Sequence, residues 1–226
     1  MRTFSITRRS QIDKTFRVQK IATDFDLNID EVVETFQGSI DLSKPWKIGL
    51  IVGSSGTGKT TIAKEIFGNE IITSFDYTHK SVVDDMPKEC SFEEVSRMFY
   101  AVGFGSVVSW LKPYNALSNG EKMRVDLARA LLEKEVVCFD EFTSVVDRTV
   151  ATTMCKAIRK TIDRIATKKF IAVACHKDII AHLQPDWVFD TDSMTFSFTI
   201  AHPKQCGSTF ANVAETSGQN LSVITI

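Results

Sequence analysis

Residues 48–68 read IGLIVGSSGTGKTTIAKEIFG, and the fold of the chain turns on them. IGLIV (48–52) has the length and composition of a buried strand, and TTIAKEIFG has helical spacing. Between them GSSGTGKT (53–60) matches G-x-x-x-x-G-K-[ST], and a strand before and a helix after is the setting in which that pattern cradles phosphate. Gly53, Gly56 and Gly58, with Ser54, Ser55 and Thr57 between them, let backbone N–H groups approach the α- and β-phosphates. The helix that opens at Thr60 and Thr61 adds its positive dipole end. Lys59 is expected to reach the β- and γ-phosphates and the Thr60 hydroxyl to hold Mg²⁺. The stretch predicts an α/β fold that binds ATP with Mg²⁺.

Three further stretches follow in order. LSNGE (117–121) opens an amphipathic helix with a capping box, Ser118-x-x-Glu121, and a helix N-terminus with a free face is also an anion site. VVCFDE (136–141) is an apolar strand ending in two carboxylates. Asp140 suits Mg²⁺, and Glu141 is placed to orient or deprotonate a water beside the γ-phosphate; the bland alternative is an acid pair at a turn. His176 directly follows the β-rich run FIAVAC (170–175).

Together these stretches resemble the ABC-type ATPases. LSNGE, followed by Arg124 and LARAL (127–131), is similar to the family signature LSGGQ and its RxxLARAL helix, with Asn119 in place of glycine and Glu121 in place of glutamine. Asp147, six residues past Glu141, stands where the family has its D-loop and reads equally as a helix N-cap. His176, 35 residues past Glu141, stands where the family carries a histidine that contacts the γ-phosphate. The resemblance covers about residues 15–190. It implies a P-loop NTPase of ABC type: a mixed central sheet, an N-terminal antiparallel β layer and a reduced helical subdomain. It implies Lys59, Glu141 and His176 as catalytic residues of ATP hydrolysis. It also implies that Ser118, Asn119 and Gly120 of one chain cover the γ-phosphate held by another, in a head-to-tail homodimer formed on ATP binding. The family stacks an aromatic on adenine; Phe25 is the candidate, with Phe36 and Trp46 as alternatives.

The chain departs from the family's transport subunits in two ways. They place a glutamine at the end of the strand after the loop helix, where it meets Mg²⁺ and the membrane subunit; here no glutamine occurs between Gln37 and Gln184. Asp84 or Asp85 is the candidate metal contact instead, a carboxylate oxygen being suited to Mg²⁺, and a plain turn acid is the alternative. Only 58 residues separate Lys59 from Ser118, which leaves a short helical arm of about 88–130. Several strings, among them WLKPYNALSNGEKMRVDLARAL and ACHKDIIAHLQPDWVF, resemble cytoplasmic prokaryotic and viral ABC ATPases associated with an acetyltransferase-like domain. That resemblance implies a cytosolic ATPase without a membrane subunit and does not establish its partner; a switch acting on an acetyltransferase-like or other nucleic-acid enzyme is the expectation. The alternatives are the nucleotide-binding subunit of a membrane transporter, or a binding module with a dead site.

The remaining chain sets weaker bounds. A net charge of −1 gives no global field toward nucleic acid or anionic membrane, and no window approaches a membrane span. Five cysteines without C-x-x-C spacing read as small buried or surface thiols. The first 20 residues carry a local +5, and Lys156, Lys160 and Arg164 share a helix face; each is a candidate phosphate-backbone contact or a solvated surface. TFSIT (3–7) and TFRVQKIA (15–22) read as strands around a turn, LNIDEVVETF (27–36) as a helix begun at Asp30, and IITSF (71–75) and VVDD (82–85) as strands. The ATPase domain is expected over 1–200, with a polar tail at 201–226.

Overall fold

The computed structural model describes residues 1–26, 31–72 and 75–199, without the side chains of residues 10, 11, 31 and 32. Asp30, part of IITSF and the 201–226 tail lie outside the described residues. Six strands form a mixed sheet in the order β4 (Ile71–Ile72), β5 (Val136–Phe139), β6 (Lys169–Ala174), β3 (Ile48–Val52), β7 (Trp187–Asp190) and β8 (Thr195–Phe198). All neighbours are parallel except β7 and β8. A separate antiparallel ribbon pairs β1 (Arg2–Gln11) with β2 (Glu31–Ile40).

β3 is buried at every position because both faces of the sheet are covered, which is why it reads as an unbroken apolar run. Alternation along it sends Leu50 and Val52 to one core and Ile51 to the other. The first core packs α3 (Phe92–Ala101), α5 (Asn119–Glu133) and α6 (Arg148–Arg164) onto the sheet through Phe99, Leu127 and Ile158. The second packs the ribbon and α2 (Lys59–Phe67) through Phe4, Phe36, Ile62 and Phe67. Arg2 ties ribbon to helix: its Nη1 donates to the Ile66 carbonyl at 2.7 Å and its guanidinium lies 5.8 Å from the Phe67 ring centre. In α6, Met154, Ile158 and Ile162 face the core, leaving Lys156, Lys160 and Arg164 exposed on the opposite face.

Four local expectations are corrected. Residues 15–22 are not a strand; they lie in α1 (Phe16–Asp24), which Thr15 caps by accepting from the Val18 N–H at 3.4 Å. Residues 31–36 are not helical; they begin β2, whose Phe36 stands opposite Ile6 and whose β-branched residues suit a half-buried ribbon. β1 also runs on to Gln11, through the stretch read as a turn. Finally, 82–85 is a turn: the Val82 and Val83 N–H groups donate to the Lys112 and Trp110 carbonyls rather than to a sheet ladder.

Gly49 marks the tightest packing in the sheet. A Cβ there would lie 2.0 Å from Cζ2 of Trp187, whose fully buried ring stacks on Phe67 with centres 6.2 Å apart. Gly49→Ala is expected to destabilise the fold by about 1–3 kcal/mol through overpacking, read as a lowered urea midpoint. An unchanged midpoint would contradict the contact.

Candidate active site

The register of the parallel strands aligns their C-terminal ends. Val52 stands opposite Ala174 and Asp190, and Phe139 opposite Ala172. The phosphate-loop stretch, the Asp140–Glu141 pair and His176 therefore all leave the same edge of the sheet, the edge where open α/β folds hold their ligands.

The loop is shaped by its glycines and by a ring beneath it. Gly58 precedes α2 at φ 81°, in the left-handed region, and a Cβ there would lie 2.6 Å from the Phe36 ring. Phe36 is thus a buried support under the loop, and Trp46 packs edge-on against Trp187 with centres 5.7 Å apart. Phe25, at the C-cap of α1, is 72% exposed. Thr57 Oγ1 donates to the Ser54 carbonyl at 2.9 Å and lies 2.5 Å from Thr191 Oγ1. The Ser54 N–H donates to Asp192 Oδ1 at 2.8 Å. Lys177 bridges Asp190 and Asp192 at 2.6 and 3.0 Å. The sequence reading missed this second layer of Thr191, Asp192 and Lys177; its signal was the DTD (190–192) that ends β7 at the same sheet edge.

Lys59 lies in the first turn of α2, 7% exposed. Among the described residues its ammonium donates to one acceptor, the Ser54 carbonyl at 2.6 Å, and no carboxylate pairs with it. An ammonium has three donors, so a buried one held by a single neutral oxygen is suited to an anion.

Beyond β5, Glu141 has φ 54° and Thr143 φ 68°, and Thr143 is fully buried. Left-handed backbone at non-glycine residues costs on the order of 1–3 kcal/mol each and clusters at functional sites. The turn is held by the Phe142 N–H on the Val173 carbonyl at 2.8 Å and by Ser144 Oγ on the Glu141 carbonyl at 2.8 Å. Asp140 and Glu141 line a cleft of about 290 Å³ together with Asn119, Tyr114 and Asp126. His176 is exposed two residues past β6. Close by in the chain, Asp178 takes a forked pair of bonds from Arg148 at 3.0 and 2.5 Å, joining that segment to the start of α6. Asp147 caps α6, accepting from the Thr149 and Val150 N–H groups at 2.9 and 3.0 Å.

Ser118 caps α5 with the full capping box, and Glu121 also accepts from the buried Ser109 hydroxyl at 2.8 Å. Gly120 follows in the first turn, where a Cβ would lie 3.3 Å from Val146 Cγ1. Among the described residues no hydrogen bond or ion pair joins 117–121 to 53–60. Asp84 is exposed and accepts from the Ser81 hydroxyl within its own turn. Asp85 is buried and holds the Thr78 and His79 N–H groups and the His79 ring. Neither borders the Asp140 cleft. Thr60 and Asp140 offer hard oxygen donors, and no group of three or more His, Cys, Asp or Glu gathers among the described residues. That sparse oxygen set fits Mg²⁺, which keeps several waters and takes phosphate oxygens as ligands.

No protein-family profile matches the chain. It is 28% identical over 165 residues to the zinc import ATP-binding protein ZnuC of Pseudomonas putida, covering 61% of this chain and 64% of that protein. It is 30% identical over 149 residues to the energy-coupling factor transporter ATP-binding protein EcfA1 of Staphylococcus aureus, covering 49% and 55%. The chain thus spans less than two thirds of the length of these curated relatives. Among solved structures, the dimeric bacterial ABC transporter cassette MJ0796 superposes with a TM-score of 0.54 at 14% identity, covering 70% of this chain and 87% of that one. A bacterial Atm1-family ABC exporter with ATP bound gives 0.52 at 19% identity, covering 69% and 33%. The fold is that of a P-loop NTPase of ABC cassette type.

The signature-like cap supplies a pH test. The Ser118 N–H first, then the Ser109 and Ser118 hydroxyls, hold the Glu121 carboxyl below the ordinary value of 4.5. A depressed acid stabilises the fold above its unfolded pKa, and that contribution is lost as pH falls through the folded pKa. Thermal melts from neutral pH downward should therefore lose stability below about pH 4.5 less steeply in Glu121→Gln than in the parent. Parallel pH profiles would contradict this.

Proposed function

We propose that the chain is an ATP-driven switch: it binds Mg·ATP, dimerises head to tail, hydrolyses ATP and so changes the state of a protein partner. The observation that carries the reading is Lys59, a buried ammonium at a helix N-terminus after a glycine loop, with one neutral acceptor among the described residues. In this reading Gly53–Thr61 cradles the triphosphate, with the N–H groups of Ser55, Gly56 and Gly58 toward the phosphates. Thr60 and Asp140 hold Mg²⁺, which neutralises charge on the phosphates when bound, and Asp84 is the further candidate ligand. Of the three candidate aromatics Phe25 is the exposed one, and in this reading it stacks on adenine. Glu141 orients and deprotonates the attacking water, and His176 contacts the γ-phosphate. Ser118, Asn119 and Gly120 come from the opposite chain, with Asp147 near the dimer seam. Among the described residues no hydrogen bond or ion pair joins 117–121 to 53–60 within one chain, which supports a two-chain site, since a C2 pair of such half-sites closes symmetrically. The ATPase unit spans 1–200, with its arm at about 88–130.

The partner we favour is an acetyltransferase-like or other nucleic-acid enzyme in the cytoplasm. A cleft of about 460 Å³ on α6 supports a polyanion nearby. Of the bases lining it, Arg159 is paired with Asp163 and Asp186, while Lys156, Lys160, Arg164 and His182 have no ion pair among the described residues. By contrast, the N-terminal cluster is partly used by the fold, through Arg2 on α2 and Lys20 on Asp24. The second reading, a transporter's nucleotide-binding subunit, is favoured by the names of the relatives. Against it stand the missing glutamine and the short arm. No helix among the described residues is long and apolar enough to cross a membrane.

Lys59→Ala should abolish ATP binding in equilibrium titration. Glu141→Gln should keep ATP bound and accumulate a dimer on gel filtration, because the amide preserves shape but cannot act as a base. A Glu141→Gln protein that stays monomeric at saturating ATP would count against the two-chain site. Ser118→Arg should bind ATP without turnover, and mixing it with Lys59→Ala should restore part of the activity through the one intact composite site. On the trapped dimer, binding of labelled single or double strands should weaken steeply with salt. Replacing Lys156, Lys160 and Arg164 by alanine should flatten the salt slope by roughly one unit per lost phosphate contact. No binding at micromolar protein would leave the protein partner alone.

A further inference from the structure

The chain contains a polar cluster that none of the motifs uses. Asp126, half-buried on α5, accepts the Tyr77 hydroxyl on Oδ1 and the Tyr114 hydroxyl on Oδ2, both at 2.7 Å. The two phenol rings lie flat on each other, with centres 3.9 Å apart and planes 3° from parallel. No cation forms a salt bridge with this carboxylate among the described residues, and burial pushes its pKa up. One turn on, Arg129 grips the same loop: its Nη1 donates to the Asp76 carbonyl at 2.8 Å. Its guanidinium lies 4.8 and 5.2 Å from the Phe75 and Tyr77 ring centres.

The cluster joins three places that matter to the site. Asp126 lies eight residues past Ser118 on the same helix, about 12 Å at 1.5 Å per residue, so any tilt of α5 there moves the Ser118 end. Tyr114 begins the short turn Tyr114–Ala116 that leads into Leu117 and Ser118. Tyr77 belongs to the segment that leaves β4, whose Ile72 stands opposite Phe139, the residue before Asp140. The cleft that contains Asp140 and Glu141 is also bordered by Ile72, Tyr114 and Asp126. The Val82 and Val83 bonds to residues 112 and 110, and Ser109 on Glu121, close the same circuit from the other side.

We infer that Asp126, clasped by Tyr77 and Tyr114, is a positioning residue: it couples the Asp140 cleft, which Asp126 and Tyr114 border, to the Ser118–Gly120 face that a second chain's nucleotide meets. The inference rests on the two-chain reading above. Two hydroxyl bonds to one carboxylate are charge-assisted and directional, and the flat ring stack prevents the two segments from sliding independently. The clasp is built from residues that no signature pattern includes.

Mixed dimers test the inference, because they separate the two halves of the site. A Lys59→Ala chain lends only its signature, and a Ser118→Arg chain lends only its phosphate loop. Tyr77→Phe or Tyr114→Phe removes one hydroxyl, keeps the ring and is placed in one chain at a time. In the signature-lending chain, either change should lower turnover of the mixed dimer about tenfold, the scale of one charge-assisted bond. In the loop-lending chain Tyr77→Phe, whose ring does not border the Asp140 cleft, should leave turnover and ATP affinity within about twofold. Tyr100→Phe, an exposed phenol on α3, is the control in both positions. Equal losses in both chains, loss only in the loop-lending chain, or no loss at all would overturn the coupling and leave the clasp a stabilising contact. Failure of the parent protein to bind or hydrolyse ATP would sink the functional reading itself, and the parent run on its own distinguishes that result.

Discussion

Val52 ends β3 level with Ala174 and Asp190, and its carbonyl accepts the Thr191 N–H at 2.8 Å. That alignment of parallel strands is the constraint on which the site depends. It brings the loop after β3, the turn after β5, the histidine after β6 and the acids after β7 to one edge. A slip of one residue would also send Leu50 and Val52 to the wrong core, so the packing that stabilises the sheet enforces the geometry of the site. The Thr57–Thr191 contact and the Ser54–Asp192 bond then fasten the loop to β7, which no property of the loop's own sequence requires.

The site holds features that a purely structural domain avoids. Among the described residues Lys59 is buried without a carboxylate and Thr143 Oγ1 without a partner, and Glu141 and Thr143 sit in left-handed backbone. Each costs stability, and the two apolar cores on either face of the sheet are what offset it. The arrangement matches the general pattern in which strain and unpaired charge gather where a ligand completes the structure.

Legibility followed the range of the interactions. The capping box at Ser118, the Asp147 cap and the buried strands β3, β5 and β6 were readable because the partners are within four residues or the apolar run is continuous. Residues 15–22 and 31–36 were misread because both periodicities fit them, and the decision came from outside. Phe36 pairs with Ile6 and seats under Gly58, contacts 30 and 22 residues away in the chain. Asp192 and Thr191 were missed because they act on the loop from 134 or more residues away. Tyr77, Tyr114 and Asp126 carry no pattern at all until the fold brings them together.

The sequence by itself determined the α/β class, the phosphate loop with its helix, the acid pair, and the capped start of α5, because each is a local pattern whose physics closes within one strand–turn–helix unit. It also showed the missing glutamine and the short arm. Only the tertiary structure decided that residues 31–40 form a strand, that Phe36 supports the loop rather than lying free, that Lys59 is buried without a carboxylate among the described residues, and that α5 is clasped to Tyr77 and Tyr114. Those outcomes depend on side chains far apart in the chain meeting in a packed core, where register and burial, not local propensity, set the lowest free energy.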